Sequence, residues 1–286
     1  MSLIGQLFRR RQSGAEPTPA PPASADGRSS IYDDLHHHQL LEQEHANQYS
    51  ARTILSDLFS RFRPASVLDV GCGIGTWLAT ARDLGVPDVF GIEGEWLDRK
   101  LAKIPAERIV ARDLEKGFDL GRRFDLAICL EVAEHLSADA AARFVESLAA
   151  HADVVLFSAA IPFQGGHHHV NEQFPEYWAE RFGHLGFLPF DFLRSAIWNN
   201  QSVLWWLRQN VLVFAKAHLA GAGGPFAGLA APGPLSIVHP EVYLSRVGSL
   251  RAVAAEHEKV MAVLSSGGSI SVERGPAGEL KITARR

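Results

Sequence analysis

The sequence predicts an α/β protein with a doubly wound sheet, preceded by a helix and followed by a small helix and hairpin. Two observations carry this prediction. Short apolar runs alternate with helical segments from residue 66 onward, and the first of these runs ends in a glycine-rich loop. Strands that alternate with helices of this length pair in parallel through right-handed crossovers, which places helices on both faces of the sheet.

The first 62 residues contain a tail and a helix. Residues 1–30 are predicted to be a disordered tail, because the stretch from Ser13 to Ser30 has hardly any large apolar side chain and cannot offset the entropy of ordering. A helical pattern of apolar residues then runs from Ile31 to about Phe62. Pro64 stops this helix.

The central segment supplies the elements of the sheet. Strands are predicted at residues 66–70, 88–92, 108–111, 124–130, 154–158, 187–190 and 211–215, and helices at residues 76–84, 95–101, 138–150 and 172–182. Together with the preceding helix, these elements define a predicted domain over residues 31–218.

The last part of the chain, residues 219–286, forms a predicted appendage. Residues 219–235 are rich in Gly, Ala and Pro and read as a linker, and residues 241–264 are a predicted helix. Residues 269–273 and 279–283 alternate in polarity and predict a hairpin. This region is too small to bury a core alone, so it either docks on the main domain or joins a homo-oligomer interface.

Composition excludes several classes of protein. Apolar residues make up 47% and charged residues 21% of the 286 residues, and the net charge of −4 argues against a nucleic-acid partner. The two cysteines leave no disulfide framework and suit a reducing compartment. No run reaches the roughly 18 apolar residues of a membrane span, and the first residues do not read as a secretory signal. We expect a cytoplasmic protein with no stable membrane insertion.

The strongest motif joins the first strand to the next helix. The strand runs through Asp69 into Gly71, Gly73 and Gly75, and glycines at such a junction let the backbone approach a ligand closely. After the next helix, the second strand ends at Glu93, where a carboxylate could accept hydrogen bonds from both hydroxyls of a ribose. The pattern predicts a nucleotide-like cofactor site, and a ligand-free tight turn is the alternative.

The sequence resembles the class I S-adenosylmethionine-dependent methyltransferases. The motifs that match are Val67-Leu-Asp-Val-Gly-Cys-Gly-Ile-Gly, Gly91-Ile-Glu, Arg112-Asp-Leu and the run from Phe124 to Leu136, in the order and spacing of the family. The resemblance implies a Rossmann-like methyltransferase sheet of seven strands and S-adenosylmethionine as the cofactor. It also implies that Asp69 and the three glycines hold the methionine part and that Glu93 takes the ribose hydroxyls. Asp113 and Leu114 would contact the adenine, and Glu131 would also line the cofactor site.

A block of acidic and histidine residues follows the fourth strand. If a helical turn begins at Glu131, then Glu134 and His135 face the same side at the carboxyl edge of the sheet. A later loop contains Gly165-Gly-His-His-His169 and should cover the same crevice.

Three interpretations of this block stay open. In the first, Glu131, Glu134 and His135 shape the wall of the active site and contact the cofactor only indirectly. A second interpretation is a Mg²⁺ or Mn²⁺ site formed by Glu131, Glu134, His135 and His169, which resembles sites in ubiquinone-pathway and small-RNA 2′-O-methyltransferases. The third is a general base, His135 or His169, that acts without a metal.

The predicted reaction is O-methylation of a small hydroxylated acceptor such as a saccharide or a natural product. The stretch from Trp198 to Asn210 combines tryptophans with amides and Arg208, a combination that suits a sugar ring. An N-methyltransferase of a small amine is the alternative, since an amine needs only modest base strength. An RNA 2′-O-methyltransferase is the weaker alternative, because the net charge does not suit a long nucleic acid.

Overall fold

The computed structural model describes residues 44–231, 233–274 and 280–285. The predicted tail and the first part of the predicted N-terminal helix lie outside the described residues. The remainder of that helix is confirmed as α1 (Glu44–Arg61), which ends before Pro64. Ile54, Leu55 and Leu58 are fully buried on its inner face.

Seven strands form one sheet in the order β3-β2-β1-β4-β5-β7-β6, which confirms the predicted fold class. Their bounds are β1 (Ser66–Val70), β2 (Asp88–Glu93), β3 (Ile109–Ala111), β4 (Leu126–Leu130), β5 (Val154–Ser158), β6 (Phe187–Phe190) and β7 (Leu212–Lys216). Successive residues of β1 pack into different hydrophobic clusters, Val67 on one face of the sheet and Leu68 on the other. The sheet is therefore buried on both sides, as a doubly wound sheet requires.

Strand β7 is antiparallel to both of its neighbours. Val213 pairs with Leu156 of β5 and with Phe190 of β6, so the expectation of parallel pairing is wrong for this strand. The two helices between β6 and β7, α5 (Phe192–Ile197) and α6 (Trp205–Asn210), have six residues each. Each is only about 9 Å long, so neither makes the long crossover that a parallel strand needs.

Three helices flank the sheet near their predicted positions: α2 (Thr76–Asp83), α3 (Ala141–His151) and α4 (Pro175–His184). The helix predicted over residues 95–101 is wrong, because only Arg99–Leu101 form a short 3-10 turn there. Asp98 has an extended backbone, and its side chain accepts a hydrogen bond from the amide of Lys100. An aspartate that caps the backbone two residues onward favours a turn over a continuous helix.

The C-terminal region forms a helix and a hairpin, as predicted. They are α7 (Pro240–Ser265), β8 (Ser269–Arg274) and β9 (Leu280–Arg285), and the two strands pair antiparallel. The start of α7 is anchored by an ion pair between Arg208 and Glu241. No helix among the described residues is long and apolar enough to cross a membrane.

Candidate active site

The loop after β1 places three glycines at the carboxyl edge of the sheet. Gly71, Gly73 and Gly75 all have positive φ, of 76°, 53° and 84°, which a glycine adopts without steric cost. A Cβ on Gly71 would lie 2.4 Å from Cγ2 of Val132, whereas a Cβ on Gly73 would meet nothing within 4 Å. The loop therefore packs against the segment after β4 on one side and is open on the other.

A buried carboxylate, Asp69, and a half-buried one, Glu93, lie beside this loop. Glu93 accepts hydrogen bonds from the amides of Gly73 (2.6 Å) and Gly94 (2.8 Å). Burial raises its pKa, although these two bonds lower it in part. Asp69 is 3% exposed, and burial, followed by the charge of Glu93, raises its pKa well above the usual value. Neither carboxylate forms an ion pair within the described part of the chain.

Helix α1 is fastened to α2 beside the glycine loop. The Thr76 hydroxyl donates to Glu44 (3.0 Å), and the indole nitrogen of Trp77 donates to the side-chain oxygen of Asn47 (3.0 Å). Glu44 also forms an ion pair with Lys103. These contacts attach the N-terminal helix to the first turn of α2.

The turn after β3 contains Asp113 and Leu114. Asp113 is exposed; it accepts a hydrogen bond from the amide of Glu115 and forms an ion pair with Lys116 (3.0 Å). Leu114 is half-buried and packs against the core. The structure thus gives both residues local roles, and their predicted contact with adenine stays a prediction.

Glu131 lies directly after β4 with an unusual backbone. Its φ is +54°, which is costly for a residue with a side chain, and its amide donates to the backbone carbonyl of Ser158 (3.0 Å). The carboxylate accepts hydrogen bonds from the side-chain amides of Gln164 (3.0 Å) and Asn210 (3.0 Å). Burial raises the pKa of Glu131, and these hydrogen bonds offset part of the rise.

Glu134 is fully buried in the short turn Ala133–His135. Its backbone carbonyl accepts hydrogen bonds from the amides of Val170 (2.9 Å) and Asn171 (3.0 Å). These bonds attach the loop that contains residues 165–169, here called the histidine loop, to this turn. Neither carboxylate oxygen has a hydrogen-bond partner of good geometry within the described residues. Burial and then the charge of Glu131 raise its pKa well above the usual value, and two nearby backbone amides do not compensate.

The histidine loop brings His169 next to His135. The two rings are 4.8 Å apart between centroids and nearly perpendicular. Nδ1 of His169 lies 3.0 Å from a carboxylate oxygen of Glu172, and that carboxylate also accepts from the amides of Phe163 (2.7 Å) and Gly165 (2.8 Å). Glu172 therefore fixes both the His169 ring and the path of the loop.

Glu134, His135 and His169 offer one ligand atom each, all within 4.8 Å of one another. The sequence predicted these three together with Glu131, but the structure does not bring Glu131 into this group. The side-chain amides of Gln164 and Asn210 hold the Glu131 carboxylate instead, and its part in a metal site stays a prediction.

Sequence reasoning missed the roles of Gln164 and Asn210. Both are buried, and they also bond each other, with Nδ2 of Asn210 donating to Oε1 of Gln164 at 2.9 Å. Asn210 was part of the amide-rich stretch that suggested a sugar site, yet its amide points into the protein. Two amides that lie far apart in the sequence form no recognisable motif. The only signal that could have indicated them is that a buried carboxylate at Glu131 needs hydrogen-bond donors.

The fold and this edge of the sheet together define a class I S-adenosylmethionine-dependent methyltransferase. The profile of a family described as a methyltransferase domain matches residues 43–203, more than half of the chain. The chain belongs to this family and is an enzyme. A search of curated proteins found no match.

Solved structures show the same fold. The sugar N-methyltransferase KedS8 from Streptoalloteichus sp ATCC 53650 is similar at 19% identity and a TM-score of 0.51, over 71% of this chain and 99% of that chain. The magnesium protoporphyrin IX methyltransferase ChlM from Synechocystis PCC 6803, with bound S-adenosylmethionine, is similar at 16% identity and a TM-score of 0.50, over 70% and 100%. Streptomyces venezuelae DesVI is similar at 17% identity and a TM-score of 0.50, over 64% and 98%. At these identities the likeness concerns the fold.

Proposed function

We propose that the enzyme methylates a hydroxyl group of a small hydroxylated acceptor, with a saccharide as the preferred class. The observation that carries the proposal is the group formed by Glu134, His135 and His169 at the carboxyl edge of the sheet. A hydroxyl is a poor nucleophile until its proton is removed, and a cation or an imidazole serves that purpose at neutral pH.

The residues around the glycine loop fit S-adenosylmethionine. The open space beside Gly73 admits a ligand, and the carboxylate of Asp69, which has no ion pair among the described residues, suits a positively charged one. We assign the methionine part to Asp69, Gly71, Gly73 and Gly75. When bound, the cofactor supplies a methyl group on a positively charged sulfur.

The remaining cofactor contacts come from three turns at the same edge of the sheet. Glu93 holds the ribose hydroxyls, since its carboxylate is already oriented by two backbone amides. Asp113 and Leu114 border the adenine, and Glu131 forms the wall between the cofactor and the acceptor. The rigid amide contacts of Glu131 suit a wall residue that keeps one position.

The same edge fits a divalent cation. Within the described ranges, the fully buried carboxylate of Glu134 has no hydrogen-bond partner of good geometry and lies next to two imidazoles. A bound cation would offset the cost of burying this charge. Glu134, His135 and His169 would hold Mg²⁺ or Mn²⁺, and the cation would lower the pKa of the acceptor hydroxyl. Glu172 acts on His169 as carboxylates commonly act on metal-bound histidines, by fixing the ring and its tautomer.

Chelation followed by metal addition tests this proposal. We expect methyl transfer from labelled cofactor to a panel of sugars to stop after chelation and to return with Mg²⁺ or Mn²⁺. Glu134→Gln should stay inactive in both conditions, whereas Glu146→Gln, an exposed change on α3, should behave as the wild type. Full activity in excess chelator would remove the cation and leave His169, paired with Glu172, as the general base that takes the hydroxyl proton.

An N-methyltransferase of a small amine is the second candidate. The similarity to a sugar N-methyltransferase favours it, because an aminosugar would share most of its surface with the proposed acceptor. Matched acceptors that differ only in a hydroxyl or an amino group distinguish the two reactions. Transfer to the amine alone, unaffected by chelator, would establish N-methylation.

A further inference from the structure

Helix α7 has a row of mostly apolar side chains, of which the described residues cover only Val247 in part. We define the α7 stripe as residues 247, 250, 254, 257, 261 and 264, which are Val247, Leu250, Ala254, His257, Met261 and Leu264. The intervals alternate between three and four residues, the spacing of the seam in a two-stranded coiled coil. Leu250 is 69% exposed, and Met261 and Leu264 are each 47% exposed. Val242 is the only buried residue described for this helix.

The backbones of β8 and β9 contact α7. Near the end of α7, Val260 and Val263 are half-buried. In the heptad of the α7 stripe these two valines fall outside the seam positions, so the covered side of the helix at this end differs from the stripe. The stripe itself is about 26 Å long, and an exposed apolar surface of this extent marks an interaction site.

We propose that the α7 stripe pairs with the same stripe of a second copy of this chain, as an antiparallel coiled coil. An antiparallel arrangement aligns Val247 with the partner's Leu264 and Leu250 with the partner's Met261. It also places the small side chain of Ala254 opposite the larger ring of the partner's His257. All six layers occur in one register, and the two-fold axis passes near the middle of the stripe.

Charge complementarity favours the antiparallel direction. Beside the seam, Arg251 faces the partner's Glu258, and the two-fold axis repeats this pair. A parallel coil would instead place Arg246 next to the partner's Arg251, which is repulsive.

The charges of α7 also favour a second copy over a lipid surface. The helix carries Arg246, Arg251 and Lys259 against Glu241, Glu256 and Glu258. A helix that lies on a membrane normally has a basic excess on its polar face. This balance suits a protein partner with the same stripe.

The mass of the full chain in solution tests the proposal. Light scattering should give twice 31.3 kDa. Arg251→Glu makes both residues of each flanking pair acidic, and Glu258→Arg makes both basic. Each variant alone should therefore raise the dissociation constant by about tenfold or more. A mixture of the two variants should restore the dimer, because every flanking pair then joins opposite charges.

Matched controls separate this interface from others. Lys259→Glu reverses a charge on α7 away from the seam and should leave the dimer intact. Leu250→Glu places a charge in the seam and should give a monomer that retains its helical circular dichroism and its affinity for S-adenosylhomocysteine. A wild-type monomer at ~100 µM, a dimer that persists in Leu250→Glu, or charge variants that mix without rescue would each overturn the proposal.

Discussion

At the scale of single residues, the carboxylate of Glu93 has two tasks. It orients the glycine loop through the Gly73 amide, and under the proposed function it receives the ribose of the cofactor. Hydrogen bonds to a charged group are stronger than neutral ones, at about 1.5–3 kcal/mol each. The Glu93 carboxylate is also half-buried. If it is removed, water can therefore satisfy the two backbone amides only in part.

We predict that Glu93→Ala weakens the binding of S-adenosylhomocysteine by at least about tenfold, which corresponds to ~1.4 kcal/mol. Titration calorimetry measures this change directly. Glu107→Ala removes an exposed carboxylate before β3 and should bind as the wild type does. An unchanged affinity in Glu93→Ala, with the fold intact by circular dichroism, would contradict the assignment of the ribose to this residue.

Single residues were predicted correctly where their role depends on neighbours that are close in the sequence. Gly71, Gly73 and Gly75 were predicted from their spacing, and the structure gives all three the positive φ that favours glycine. Prediction from the sequence did not find the side-chain amides that hold Glu131, because they come from a loop and from a distant helix. Which of several nearby carboxylates joins a histidine pair depends on such contacts, so the sequence alone could not separate Glu131 from Glu134.

At the scale of elements, Glu176 in the first turn of α4 fastens the segment that leads to α7. Its carboxylate accepts hydrogen bonds from the amides of Leu235 (3.0 Å) and Ser236 (2.9 Å) and from the Ser236 hydroxyl. Burial alone would raise the pKa of Glu176, but these hydrogen bonds outweigh it and lower the pKa below its usual value. The ionised form is therefore the one that the fold stabilises.

Because the folded state lowers the pKa of Glu176, the stability of this segment depends on pH. A carboxylate whose pKa is lower in the folded state contributes stability above its unfolded pKa of about 4.3, and that stability is lost as the pH falls through the folded value. We predict that Glu176→Gln reduces hydrogen-exchange protection of residues 233–239 at pH 7. The wild type should lose the same protection below about pH 4. Glu180→Gln, an exposed change on the same helix, should keep it, and equal protection in both variants would contradict the role of Glu176.

Most elements were predicted because periodicity and glycine or proline signals are local. The exceptions have physical causes. Residues 95–101 have a helical composition, but Asp98 caps a turn there. The sequence of β7 predicts a buried strand. Whether the strand runs parallel or antiparallel depends on the short helices before it, and the hydrophobic periodicity does not contain this information.

At the scale of the whole molecule, the proposed sites lie at one edge of the sheet but use different side chains. The glycine loop, Asp69 and Glu93 belong to the cofactor side, whereas Glu134, His135 and His169 belong to the cation side. Within the described ranges, Asp69 and Glu93 form no ion pair on the cofactor side, and the Glu134 carboxylate has no hydrogen-bond partner of good geometry on the cation side. A ligand that brings a positively charged group to either side should therefore stabilise the fold.

We predict that the two ligands stabilise the protein independently. A ligand at 100 times its dissociation constant adds about 2.7 kcal/mol to the free energy of unfolding. That amounts to about 5–10 °C in the melting temperature of a domain of this size. Saturating S-adenosylhomocysteine should raise the melting temperature of both the wild type and Glu134→Gln, whereas Mn²⁺ should raise only that of the wild type.

The two shifts separate the cofactor site from the cation site without any assay of methyl transfer. Glu146→Gln serves as the matched control and should respond to both ligands. A Mn²⁺ shift that survives in Glu134→Gln would mean that the cation binds elsewhere, and the hydroxyl proton would then pass to His169. Loss of the S-adenosylhomocysteine shift in Glu134→Gln would mean instead that the buried carboxylate supports the cofactor side, since the turn from Ala133 to His135 packs behind the glycine loop through Val132.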